Sequence, residues 1–251
     1  MLIRFIGTGA ADWGEKFEQD EEYRRFSSML INGEVLIDVG PLIFTTEDGA
    51  ELFAHVEHVL QTHSHEDHLA VRNLQRLCNL RGRNLWCDEN IIKMAYNVRN
   101  LEKHSLSLFI PTAIGEYTVT ALPANHGTYL EKEQPRHYLI EKAGKTVFYG
   151  CDGAWFLRET WYALRKKKID LFVLDGTLGD LEGDARIFEH NNLRMVEMMA
   201  ESIRKQGILT PGGKIIISHI SRRAQEKHEL LVKRMEKADI LVAYDGLCME
   251  N

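Results

Sequence analysis

The chain has 251 residues, 44% of them hydrophobic and 9% aromatic, enough to bury one large core or two small ones. A formal net charge of -6 excludes the overall basic surface that attracts polyanions without sequence preference, so a long nucleic acid is a disfavoured partner. Cys78, Cys87, Cys151 and Cys248 form no C-x-x-C pair, which speaks against a disulfide framework or a zinc knuckle and for a reducing cytoplasm.

In chain order, residues 2–6 form a short apolar run that reads as a strand, and residues 8–27, charged and without periodicity, read as a surface loop. The opening residues lack the basic and apolar regions of an export signal, and no later run reaches the ~18 apolar residues of a membrane span, so no membrane partner is expected. Strands are predicted over 28–31 and 35–37, joined at Asn32-Gly33, both of which tolerate the positive φ of a type I′ turn. A strand over 58–61 leads into a helix over 67–80. Residues 117–122 and 146–149 read as strands and 155–165 as a helix, whose end runs into Lys166-Lys167-Lys168, a solvated terminus favoured by the helix dipole. Buried strands follow over 171–174, 214–217 and 240–242. Between them, Leu193, Val196, Met199, Ala200 and Ile203 recur at helical spacing and turn one apolar stripe toward a core, and a further helix covers 223–236. Strands first, then alternating strands and helices, define an α/β chain, and with no linker or repeat it reads as one domain over 1–251.

The chemistry concentrates after the strand over 58–61. His63, His65, Asp67 and His68 fall within six residues, a density of ligand-capable groups that folding alone rarely needs. In an extended loop His63 and His65 project to one side, and a turn into the helix swings Asp67 and His68 toward a neighbouring point, so one loop can serve two metal ions. Imidazole and carboxylate suit zinc or manganese, with iron a third candidate, and the lack of cysteine ligands points to a catalytic rather than a structural site.

His63-Ser64-His65-Glu66-Asp67-His68 resembles the H-x-H-x-D-H signature of the metallo-β-lactamase-fold superfamily. Phe5-Ile6-Gly7-Thr8-Gly9-Ala10 resembles its opening strand and turn, Arg24-Arg25-Phe26-Ser27-Ser28 its approach to the second strand, and Val35-Leu36-Ile37-Asp38-Val39-Gly40 the strand whose aspartate steadies the metal loop. The resemblance implies a four-layer αββα sandwich of two mixed sheets flanked by helices. It also implies one divalent ion on His63, His65 and His126, a second on Asp67, His68 and His219, and Asp152 between them. Taken singly, Asp38 ahead of Gly40-Pro41 reads equally as turn chemistry or as a carboxylate accepting a ligand N–H, and Asp175 before Gly176 reads first as a turn and second as a carboxylate doing similar work behind the ligands.

Gly7-Thr8-Gly9-Ala10, the segment 24–28 and Glu189-His190-Asn191-Asn192 resemble the phosphodiesterase branch, which includes ribonuclease Z and the cyclic phosphodiesterase of phosphonate breakdown. That resemblance implies hydrolysis of a small phosphodiester by hydroxide generated between two metals, with Asp67 orienting it and His190 assisting the leaving oxygen, in a homodimer. A transfer-RNA-processing role fits poorly, because no Gly/Pro-rich arm interrupts the chain. A lactonase or thioesterase of the same fold, and a metal-loaded binding protein without turnover, are the competing expectations, since fold does not fix function.

Overall fold

A computed structural model describes residues 1–14 and 22–251. The first half runs β1 (Leu2–Gly7), β2 (Ser28–Ile31), β3 (Val35–Ile37), β4 (His58–Leu60), α1 (Val71–Leu80), β5 (Arg83–Cys87), α2 (Glu89–Met94) and β6 (Leu101–Ser105). The second runs β7 (Thr112–Ile114), β8 (Tyr117–Pro123), β9 (Arg136–Lys142), β10 (Lys145–Gly150), α3 (Arg158–Leu164), β11 (Ile169–Asp175), α4 (Leu193–Lys205), β12 (Leu209–Ser218), α5 (His228–Glu236), β13 (Leu241–Val242) and β14 (Cys248–Glu250). Two seven-stranded mixed sheets result, ordered β14-β1-β2-β3-β4-β5-β6 and β13-β12-β11-β10-β9-β8-β7.

Strand alternation builds the layers. Phe5, Met29, Ile37 and Leu60 from the first sheet meet Val119, Tyr138, Tyr149 and Val173 from the second in a shared core. The opposite faces carry Leu30, Leu36 and Val59, covered by Leu74 and Leu77 of α1, and Phe148, Phe172 and Ile217, covered by Leu164 of α3, Val196 of α4 and Leu231 of α5. Strands buried on both faces read in sequence as unbroken apolar runs rather than as alternation. The expected αββα sandwich is therefore the fold observed.

Asn32 and Gly33 take φ of 51° and 75°, as the hairpin turn requires. Three predicted helices are shorter than expected. The one over 67–80 begins only at Val71, because Ala70 is extended and its N–H donates to the Val39 carbonyl at 2.7 Å, holding residues 67–70 as a loop. The one over 223–236 begins at His228, because the Asp12 carboxylate accepts from the Arg222 and Arg223 N–H groups at 2.9 and 3.0 Å and fixes a turn there. The one over 155–165 covers Arg158–Leu164. Of the predicted loop over 8–27, residues 11–13 form a 3-10 turn and residues 15–21 lie outside the described residues. Among the described residues, no helix is long and apolar enough to cross a membrane.

Candidate metal centre

Residues at or just beyond the C-terminal ends of strands converge. Asp38 follows β3, the 63–68 loop follows β4, His126 follows β8, Asp152 follows β10, Asp175 closes β11 and His219 follows β12. The strands β10, β11 and β12 are parallel, and β8 runs with them because β9 is antiparallel to both β8 and β10. Carboxyl ends of parallel strands are where open α/β sheets gather their sites.

The histidine loop is held from behind. Asp38, fully buried and left-handed at φ 62°, accepts hydrogen bonds on Oδ1 from the Thr62 N–H at 2.8 Å and the Gln61 amide at 2.9 Å. Its Oδ2 lies 2.8 Å from Nδ1 of His68. Gln61 donates onward to the carbonyls of His63 at 3.0 Å and His68 at 3.1 Å, tying both ends of the loop to one amide. A Cβ on Gly40 would stand 2.2 Å from the Asp67 carbonyl, so only glycine lets β3's continuation pass beneath the loop. The Gly40→Ala variant is expected to push this loop aside and weaken divalent-ion affinity by about ten- to a hundredfold, the range seen when support behind ligands is lost. Titration against a chelating dye measures it; unaltered affinity would mean that the loop has slack.

Three groups form among the described residues. His63, His65 and His126 make one; Asp67, His68, Asp152 and His219 make a second; Asp152, Asp175, His190 and His219 make a third that overlaps the second; within each, one ligand atom per residue lies within 4.8 Å of the rest. Asp152 joins the first to the second, with Oδ2 3.9 Å from Nε2 of both His63 and His126 and 3.3 Å from Nε2 of His68, and Oδ1 3.1 Å from Nε2 of His219. Outward bonds set the rings: Nδ1 of His63 meets the Thr62 hydroxyl at 2.9 Å, Nδ1 of His126 the Glu189 carbonyl at 3.1 Å, and Nδ1 of His219 the Thr177 hydroxyl at 2.8 Å. Each leaves Nε2 facing inward, whereas His65 faces His126 through Nδ1 at 3.1 Å.

The donor set fits divalent cations. Nε2 of His63 and Oδ1 of Asp152 are buried without a hydrogen-bond partner, a costly arrangement that a cation between them relieves. Nε2 of His68 and of His219 approach to 3.3 Å, so at least one presents a lone pair to the other. Burial pulls His63, His65 and His126 below the usual imidazole range and keeps them neutral, the form that ligates. Burial opposes ionisation of Asp67 and Asp152, but the adjacent histidines outweigh it and hold both carboxyls well below the carboxylate range.

His190, three residues before α4, belongs to the same place. Its ring stacks on that of His219 at 5.3 Å and 12°, and its Nδ1 lies 2.7 Å from Oδ2 of Asp175. Burial would lower its pKa, but Asp175, by charge and hydrogen bond, and Asp152 raise it to about 9. Asp175 is more than a turn residue: Oδ1 does accept the Thr177 N–H at 2.9 Å, yet Oδ2 orients His190. Sequence reasoning also gives no site role to Gln61, Thr177 and the buried His137, whose Nε2 lies 3.0 Å from the Asp152 carbonyl; none belongs to a spaced motif.

These features define a metallo-hydrolase fold whose histidine and aspartate clusters can hold metal. The family model described as beta-lactamase superfamily domain matches residues 34–215, and the chain belongs to that family. No curated protein matches the sequence. Among solved structures, the fold is similar to YhfI from Bacillus subtilis, with a TM-score of 0.75, 17% identity and 99% of each chain covered. It is similar to Zn(2+)-bound PqqB from Methylobacterium extorquens, with a TM-score of 0.74, 17% identity and 100% of each chain covered. Human tRNase Z, short form, matches with a TM-score of 0.69 and 16% identity over 100% of this chain and 99% of that one.

Proposed function

We propose that the protein is a dinuclear metal-dependent phosphodiesterase acting on a small phosphodiester. His63, His65 and His126 would hold one divalent ion, Asp67, His68 and His219 the other, and Asp152 both, with zinc or manganese the best matches to this nitrogen and oxygen donor set. Such ions, when bound, lower the pKa of water and neutralise negative charge on a substrate.

The chain's own groups supply the rest. Asp67 accepts a hydrogen bond from the attacking water and orients it, since its carboxylate stays ionised beside His68 and His219. His190 holds its Nδ1 proton against Asp175 and keeps its Nε2 proton for the departing oxygen. The single observation that carries the phosphodiester reading is this Asp175–His190 pair stacked on His219, a proton donor placed against the cluster. A recess of about 300 Å³ lined by His190, His219, Thr177, Leu181 and Arg186 favours a small substrate over a long nucleic acid.

With one metal-loaded sample, bis-p-nitrophenyl phosphate is expected to turn over faster than a lactone or a thioester; the reverse order would move the assignment to those esterases. His190→Ala is expected to retain bound metal and to lose about 10²- to 10⁴-fold in kcat, the range for a general acid. The loss should be larger for an alkyl than for a p-nitrophenyl leaving group, because the better leaving group needs no proton. Equal losses for both would remove His190 from that role.

A further inference from the structure

Behind the metal clusters, His137 on β9 is fully buried, with its ring edge-on to those of Phe148 and Phe156 at 5.5 and 6.1 Å. An imidazole is costly in such company. Its Nδ1 is buried and meets no hydrogen-bond partner, so the ring proton sits on Nε2, which donates to the Asp152 carbonyl at 3.0 Å. Leucine or phenylalanine would fill the same space without stranding a nitrogen, so packing alone does not call for histidine.

The identity of the acceptor gives the bond its meaning. Asp152 is the residue whose carboxylate lies between the first two clusters. Its side chain has only two torsions, so its oxygens go where the main chain of residues 152 and 153 puts them. That main chain is gripped at three points. His137 holds the Asp152 carbonyl from β9, Nδ2 of Asn191 donates to the Gly153 carbonyl at 2.9 Å, and the Gly153 N–H donates to Oδ2 of Asp175 at 3.3 Å. Asn191 and Asp175 belong to α4's approach and to β11, so His137 is the grip that comes from β9. Gly153 is fitted to it: a Cβ there would stand 2.6 Å from Nε2 and 2.9 Å from Cε1 of His137, and glycine is what lets the ring reach the carbonyl.

We infer that His137 is a positioning residue, which fixes the Asp152 main chain so that one carboxylate can serve two ions. This role rests on the dinuclear reading above. Ligand constellations must be held to within about 0.5 Å of their working geometry, and support behind a ligand is worth about ten- to a hundredfold in metal affinity.

Chelating-dye titration with zinc, and thermal unfolding of the metal-free chains, test the role on the full chain. His137→Leu keeps an apolar filling and deletes the donor, and is expected to weaken zinc affinity by about ten- to a hundredfold. His137→Gln, whose amide N–H can reach the same carbonyl, should recover most of that loss. Phe156→Leu trims the same aromatic cluster without touching Asp152, so it should lower thermal stability and leave zinc affinity in place. Gly153→Ala keeps the histidine but pushes its ring off the carbonyl; it should weaken zinc binding as His137→Leu does, and it carries the test alone if His137→Leu does not fold. Unchanged zinc affinity in His137→Leu or in Gly153→Ala, or affinity that merely tracks thermal stability across the four variants, would overturn the positioning role. An unaltered chain that binds fewer than two zinc ions would instead sink the dinuclear reading, and the role with it.

Discussion

If the proposed dinuclear phosphodiesterase reading holds, replacing Asp152 with alanine is expected to lower bound divalent metal from two ions per chain to one or none and to cut kcat/KM toward phosphodiesters by about 10³-fold or more. Among the described residues, Asp152 is the one side chain whose oxygens reach both clusters, at 3.9 Å from Nε2 of His63 and of His126 and 3.1 Å from Nε2 of His219. On the proposed dinuclear reading, its loss would remove a ligand shared by the two ions and also the negative charge that would offset them. Several kcal/mol of charge stabilisation are at stake, and each 1.36 kcal/mol is about a factor of ten in rate. Asp152→Asn separates the two contributions, since it keeps the shape and removes the charge. Elemental analysis of the purified variants gives the stoichiometry, and initial rates on bis-p-nitrophenyl phosphate give the activity. Two ions retained with full turnover in Asp152→Ala would refute the shared-ligand role and with it the dinuclear reading.

Local and long-range signals in the sequence differ in strength. The six residues from His63 to His68 were legible because local spacing alone crowds ligands, and the hairpin at Asn32-Gly33 because two consecutive residues there need positive φ. The strand-end groups His126, Asp152 and His219 became legible only together, through the order of motifs, since each alone resembles an ordinary strand terminus. Both readings of Asp175 hold: Oδ1 serves the Thr177 turn, while Oδ2 meets a histidine fifteen residues later, a partner that nothing local in the sequence identifies.

The elements missed have a common cause. The strand β9 holds Arg136 and His137 buried, and β5 opens on buried Arg83, so charge masks the apolar pattern; Arg136 pairs with Asp88 at 2.7 Å and Arg83 donates to the Phe53 carbonyl at 3.0 Å. Such groups enter an interior when a partner from elsewhere in the chain awaits them, which no local window reveals. The edge strands β6, β7 and β14 are short and half-exposed, and α2 spans only Glu89–Met94 with its cap from Asp88, too brief for helical periodicity to register. Tertiary pairing, rather than propensity, makes these elements.

Asp38→Asn is expected to weaken metal affinity by about ten- to a hundredfold although it changes one atom, and Asp38→Ala to cost about 3–5 kcal/mol of stability besides. Oδ1 of Asp38 accepts from the Thr62 N–H, the Thr62 hydroxyl and the Gln61 amide, so in the asparagine variant that position must stay oxygen. The new amide nitrogen then falls where Oδ2 faces Nδ1 of His68 at 2.8 Å, and a donor there makes Nδ1 an acceptor. The ring proton moves to Nε2, the atom that lies 3.3 Å from Asp67, Asp152 and His219, and the lone pair needed for a metal is lost. Flipping the amide instead would set its NH₂ against the Thr62 and Gln61 donors, which is worse. Alanine lacks this tautomer trap but strands the Thr62 N–H and the Nδ1 of His68, so it should fall furthest in thermal stability. Chelator competition gives the affinities and thermal unfolding of the metal-free chains gives the stabilities. Equal metal affinity in Asp38→Asn and the unaltered chain would show that Asp38 supports the loop without setting the His68 tautomer.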